Sequence, residues 1–240
     1  MLHAELYKIR THRTPWVSAA ILVVGVLAPS AVVAFSRPGD AAAYSENFLE
    51  AFGVLSILTA VAFGGWLLGA EYRQDTAKRM LASEPRRLRA LGAKATAGVC
   101  WLAAMLAGAA LIGWVAARAV GSAHGAAVPW DGRALLASGL TAAVAAALTF
   151  GLSAVTRSDT VAIVGSLALI IILDPLLSMV PRLGKYTLGN GVDTIGAHID
   201  GDAAWIGQLS IGAGTAVAVT ALWLAVALGV GAALFVRRDA

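Results

Sequence analysis

Residues 14–36, 51–70, 95–117 and 134–156 each run twenty or more positions without one charged side chain. A helix needs about 20 residues to cross a hydrocarbon core of about 30 Å. In lipid every backbone N–H and C=O must be satisfied within the protein, so such runs cross as helices. A fifth run, 160–181, is interrupted only by Asp174, and a sixth lies within 203–236. The last is longer than a crossing requires, which places its first part outside the bilayer. The chain is 59% hydrophobic and 13% charged, against roughly 45–50% and about 25% in soluble domains. It has too few polar residues to cover a water-facing surface. The expected fold is an all-α polytopic membrane domain covering 1–240, with six transmembrane helices at about 16–36, 51–70, 95–117, 134–156, 160–180 and 209–235.

Orientation follows from lysine and arginine. Six spans put both termini on one side. That side, with the 71–94 loop and Arg157, carries thirteen Lys and Arg against five opposite: Arg37, Arg118, Arg133, Arg182 and Lys185. The positive-inside rule places both termini and the 71–94 loop in the cytoplasm, in a cell inner (plasma) membrane. The formal charge of +4 therefore reflects membrane topology, not nucleic-acid binding. Residues 1–36 are too long in their apolar part for a secretory leader, whose core is about 7–15 residues, so they read as an uncleaved first span. Ahead of it, within 1–15, Leu2, Leu6 and Ile9 share one helical face. That fits a short amphipathic helix on the inner membrane surface; the competing reading is a frayed basic tail.

Most enzyme classes fail for want of residues. His3, His12, His124 and His198 all fall outside the spans, so none can activate an embedded serine such as Ser153. An intramembrane aspartyl protease needs two carboxylates at one site, and the spans hold only Asp174. His198 to Asp202 reads as a solvated turn more readily than as a metal site. Gly184-Lys185 lacks the rest of a phosphate-binding loop, so no ATP hydrolysis, cofactor or metal is expected in this chain. Cys100, the only cysteine, lies in an apolar run and reads as a structural thiol. Gly139, Ala143, Ala147 and Gly151 recur every four residues, as do Gly65 and Gly69, which favours close helix packing in lipid.

Asp174 is chemically unusual because ionisable groups at membrane depth are costly and face a cavity or a partner. Pro175 kinks or ends the fifth helix there. Two roles fit Asp174: lining the outer part of a translocation path, or capping the next element. The extracytoplasmic stretch 181–207 is too polar for another span and suits a short re-entrant or surface element.

The 71–94 loop packs ten of the chain's thirty-two charges into twenty-four residues. Pro85 cannot sit inside a helix, whereas Ser83 is a good N-cap with Pro85 in the first turn of a new helix. The segment therefore divides into two short helices, one continuing the second span through Met80, the other running from Glu84 to Lys94 into the third. Tyr72, Met80, Leu81 and Leu88 add apolar contact surface. A defined turn with mixed charge suits docking to a protein, where anchorage to anionic lipid would need positive charge alone.

From Glu71 to Lys94 the pattern E-Y-R-x-x-T-x-K-x-x-L-A-x-x-P-R-R followed by A-K resembles the loop between spans two and three of type-two ABC export permeases. The opening ELYKIRTHRTPWV is similar to that family's N-terminal elbow helix. The resemblance implies cytoplasmic coupling helices in this loop, with Glu71, Arg73, Thr76, Arg79, Pro85 and Arg86 as the contacts to an ATPase subunit. It also implies two permeases, identical or homologous, on two separate ATPase subunits that bind ATP-Mg. Export of a hydrophobic or amphipathic substrate such as a drug, antibiotic peptide or lipid-like molecule would follow. Two other classes fit the residues: a non-transporting membrane adaptor or immunity subunit docking a cytoplasmic partner, and an ion-coupled secondary transporter using Asp174.

Overall fold

The computed structural model describes residues 2–37, 39–74, 87–201, 206–207 and 210–237. Among them there is no strand, and six helices are long and apolar enough to cross a membrane. The all-α polytopic architecture expected from the uncharged runs is the one observed.

Helix α1 (Leu2–Thr11) is the short amphipathic segment, with Ile9 buried and Leu6 packed on the core. It leads into α2 (Arg13–Ser36), the first span. The second and third spans, α3 (Ala41–Arg73) and α4 (Arg87–Ala123), are 33 and 37 residues long. At 1.5 Å per residue these are about 50 and 55 Å, well beyond the bilayer core. The sequence suggested 51–70 for the second span because Glu46 and Glu50 are charged. The helix nevertheless starts ten residues earlier, where the Asp40 carboxylate accepts the Ala43 N–H at 3.1 Å and caps it. At the other end α3 closes at Arg73, with Gln74 as its cap. Residues 75–80, through which the helix was expected to continue, lie outside the described residues. On the far side of the loop, Arg87 to Lys94 runs into the third span as the first turns of α4, as expected, while residues 84–86 lie outside the described residues.

The fourth span, α5 (Gly132–Thr156), is capped by Asp131, whose carboxylate accepts the Ala134 N–H at 3.0 Å, and ends on Arg157 in the left-handed region at φ 56°. The fifth combines α6 (Asp159–Ala168), a π-helical turn (Leu169–Leu173) and α7 (Asp174–Ser178). Pro175 explains the π turn: its ring would clash with the carbonyl four residues back, and the wider turn relieves that clash without breaking the span. Helix α8 (Leu188–Asp200) comes next, and α9 (Ala213–Arg237) is the sixth span.

Helix α3 is the centre of the bundle, in contact with α2, α4, α5 and α6. Glycine permits the closest approaches. A Cβ at Gly69 would lie 2.5 Å from the Asp159 backbone, and one at Gly151 would lie 2.7 Å from the Ala227 carbonyl oxygen. Gly65, Gly69 and Gly151 thus pack tightly as their spacing predicted. Gly139 does not: nothing lies within 4 Å of a Cβ there, and Ala143 is exposed. Cys100 is a free thiol on the exposed surface of α4. Ser153 donates to the Gly65 carbonyl at 3.3 Å, an α5–α3 link.

Candidate functional site: a charged junction at the stem of the 71–94 loop

The last turn of α3 carries Glu71, Tyr72 and Arg73 in succession. Successive helical side chains point about 100° apart, so the three fan out to different neighbours.

Glu71 turns inward and is 2% exposed. Its Oε1 accepts from Lys94 Nζ of α4 at 2.9 Å and also pairs with Lys8 of α1. Lys94, 1% exposed, donates in addition to Glu5 Oε2 at 2.8 Å. Among the described residues, two carboxylates and two ammonium groups therefore form a largely buried cluster joining α1, α3 and α4. Local sequence makes it possible. Ala90, Lys94 and Ala97 share the buried face of α4; the alanines bring the helices close, and the lysine stem spans the remaining gap. On α1, Glu5 and Lys8 stand one turn apart beside the core-facing Leu6 and Ile9.

Tyr72 receives Arg157, whose guanidinium lies 5.8 Å from the ring centroid, a cation–π contact. Arg157 is the left-handed cap of α5, so this contact holds the turn between the fourth and fifth spans. Arg73 pairs with Asp159 Oδ2 in the first turn of α6. The other oxygen of Asp159 accepts the Thr160 N–H at 2.9 Å, which fixes the carboxylate. On the opposite side of the loop, Arg87 Nη1 donates to the Val236 carbonyl of α9 at 2.9 Å. The two stems of the loop thereby grip α1, α4, α5, α6 and α9.

Of the residues singled out in the sequence, Glu71 and Arg73 come together here, both facing other helices of the same chain. Thr76, Arg79, Pro85 and Arg86 lie outside the described residues. Asp174 is remote from the junction, and its Oδ1 accepts the Gly189 N–H at 3.0 Å at the start of α8. Thr187 caps the same helix end by accepting the Asn190 N–H at 3.3 Å. Asp193 sits one turn further along α8. Although Asp193 keeps solvent exposure, its carboxyl is raised above the ordinary range, first by the packing that strips part of its water and second by the Asp174 charge. Sequence reasoning missed Glu5, Lys8, Asp159 and Arg157 as site residues. Their signal is only that they are charged residues flanking apolar runs, and the pairings cross up to 89 positions of sequence.

No carboxylate, thiol or imidazole arrangement among the described residues suggests covalent chemistry, and no group of three or more His, Cys, Asp or Glu among them is placed to hold a metal. The junction instead ties the described helix ends on either side of the loop to several spans through ion pairs and a cation–π contact. Residues 1–173, which contain the junction, match the family described as ABC-2 family transporter protein. The chain belongs to that family. No curated protein matches it. As an ABC-2 transporter protein it is a multi-pass membrane permease subunit, a membrane component that associates with an ABC ATPase. The matched region ends at Leu173, immediately before Asp174 and the α8 element.

Proposed function

We propose that this ABC-2 permease is the membrane half of an ATP-driven exporter, and that the 71–94 segment passes the motion of a separate cytoplasmic ATPase to the spans. The observation carrying the reading is the fan of Glu71, Tyr72 and Arg73, which ties one end of that segment to α1, α4, α5 and α6 at once. Coupling needs a stiff element, and the Glu71–Lys94 pair, buried on both sides, supplies stiffness that the half-exposed Arg73–Asp159 pair adds to less. In this reading Thr76, Arg79, Pro85 and Arg86 meet the ATPase. Glu71 and Arg73 act behind that contact, holding the stem to the bundle.

Two permeases, identical or homologous, work with two ATPase subunits that bind ATP-Mg, in a plasma membrane with both permease termini cytoplasmic. The substrate is hydrophobic or amphipathic. The test is reconstitution of the permease with its ATPase in proteoliposomes and a screen of amphipathic compounds for stimulated hydrolysis and ATP-dependent movement across the bilayer. Stimulation together with outward movement supports the exporter. An ATPase that binds the chain yet moves nothing and responds to nothing points to a docking adaptor.

A further inference from the structure

Between α4 and α5 the bundle is open. The two helices touch only slightly, and the gap forms a groove of about 550 Å³ floored by Phe52 and Phe63 of α3. It runs from Ala95 to Ala110 on α4 and from Gly132 to Phe150 on α5, about 22–27 Å at 1.5 Å per residue. That is most of the depth of a hydrocarbon core. Among the described residues no charged side chain lines it, and the one lining side chain with a polar atom is Trp130. Small residues smooth its α5 wall, where Gly139 and Ala143 leave open space. At one end the Trp130 ring meets the Trp114 ring edge-on at 5.3 Å, and the Arg118 guanidinium lies 5.5 Å from the Trp114 centroid. Asp131, beside it in sequence, is occupied as the α5 cap.

We infer that this groove is a binding site for one acyl chain of a membrane phospholipid, with the lipid phosphate at the Arg118 end. Water has no hydrogen-bond partners in such a cavity, and an empty groove forfeits dispersion contacts along its walls. The occupant is apolar for most of the bilayer depth, and an anion at the tryptophan end complements Arg118, which is exposed beside the groove and donates within the protein to the Val128 carbonyl at 3.4 Å. A phospholipid has that distribution. A helix of a second copy does not: it is about 10 Å wide with its side chains and offers the Arg118 end no required anion. The spans with the most uncovered surface for a second copy are α6 with α7, and α9, none of which walls this groove apart from Leu228.

The test is native mass spectrometry of the chain extracted in mild detergent, with palmitoyl-oleoyl phosphatidylglycerol added back as probe. Gly139→Leu fills the groove without meeting any atom within 4 Å of the new Cβ, and Gly165→Leu, equally open but on α6, is the control. Thermal unfolding establishes that each variant is folded. The wild-type chain and Gly165→Leu retain one phospholipid; Gly139→Leu loses it, and Arg118→Gln weakens retention. Undiminished phospholipid on folded Gly139→Leu overturns the site. So does a lipid-free wild-type dimer that Gly139→Leu converts to a monomer, which would make the groove a helix–helix seam. Neither ATP hydrolysis nor export enters the measurement, so its outcome is independent of the transport reading.

Discussion

Lys94 Nζ lies 2.9 Å from Glu71 Oε1, and neither side chain reaches solvent. This contact closes the base of the charged loop, because the two residues sit on the two helices between which the loop runs.

Removing one partner from a buried pair strands the other charge, at a cost of about 3–5 kcal/mol. Lys94→Met leaves Glu5 without its partner and should lower stability by that amount in thermal unfolding. Glu71→Gln combined with Lys94→Met should cost less than the sum of the single changes, since contacting residues couple by about 0.5–3 kcal/mol. Strict additivity would show that the two side chains do not interact.

Gly69 carries the second attachment. A Cβ there falls 2.5 Å from the backbone and Cβ of Asp159, and backbone cannot step aside as a flexible side chain can. Gly69→Ala should therefore push α6 from α3 and weaken the Arg73–Asp159 pair, destabilising by about 1–3 kcal/mol as overpacked sites do. Gly165→Ala, with open space around it, should be neutral or slightly stabilising.

Five of the six spans were legible because uncharged runs of twenty or more residues have few other fates in a 240-residue chain, and the fifth span was legible despite Asp174. Their ends were less so. Glu46 and Glu50 mark polar surroundings, yet Asp40 caps a helix that simply continues outward past them. The role of the Glu-Tyr-Arg triplet was half legible. Its charge and resemblance pointed to the loop, but which way each side chain faces depends on partners as distant in sequence as Lys8, Arg157 and Asp159. Likewise the row from Gly139 to Gly151 reads as uniform packing, while only the Gly151 end finds a neighbour at the approach distance that glycine permits.

At the start of α8, Asp174 accepts the Gly189 N–H, one of the first-turn donors that a helix cannot satisfy from its own carbonyls. Asp174→Asn keeps an acceptor oxygen and should be tolerated; Asp174→Leu removes that acceptor and should cost about 1–3 kcal/mol. Asp193 tests the electrostatics. Its raised carboxyl binds its proton more readily in the folded protein than in the unfolded chain, so ionisation removes stability as pH rises above the ordinary range near 4. Asp193→Asn should then raise the melting temperature at pH 7, only slightly because the group is solvent-exposed and screened, with the gain vanishing toward pH 4. A constant difference across that range would exclude ionisation as its cause.

Topology is open to direct labelling in a Cys100→Ala background, needed because Cys100 is exposed. Cysteines at the exposed positions Ala127 and Arg89 should differ in intact cells: an impermeant maleimide should reach 127 and not 89. The reverse pattern would invert the orientation that thirteen against five basic residues predicts.

The most direct test of the coupling reading is the ratio of substrate exported to ATP hydrolysed by the reconstituted transporter carrying Glu71→Gln, measured beside the amount of ATPase that co-purifies. Glu71 is 2% exposed and bonded within its own chain, so its loss should leave the ATPase bound and hydrolysing. The ratio should fall, because the loop stem is no longer held to α1 and α4. Loss of ATPase in proportion to lost export would place Glu71 at the contact surface. An unchanged ratio with full binding would contradict the junction's role in coupling.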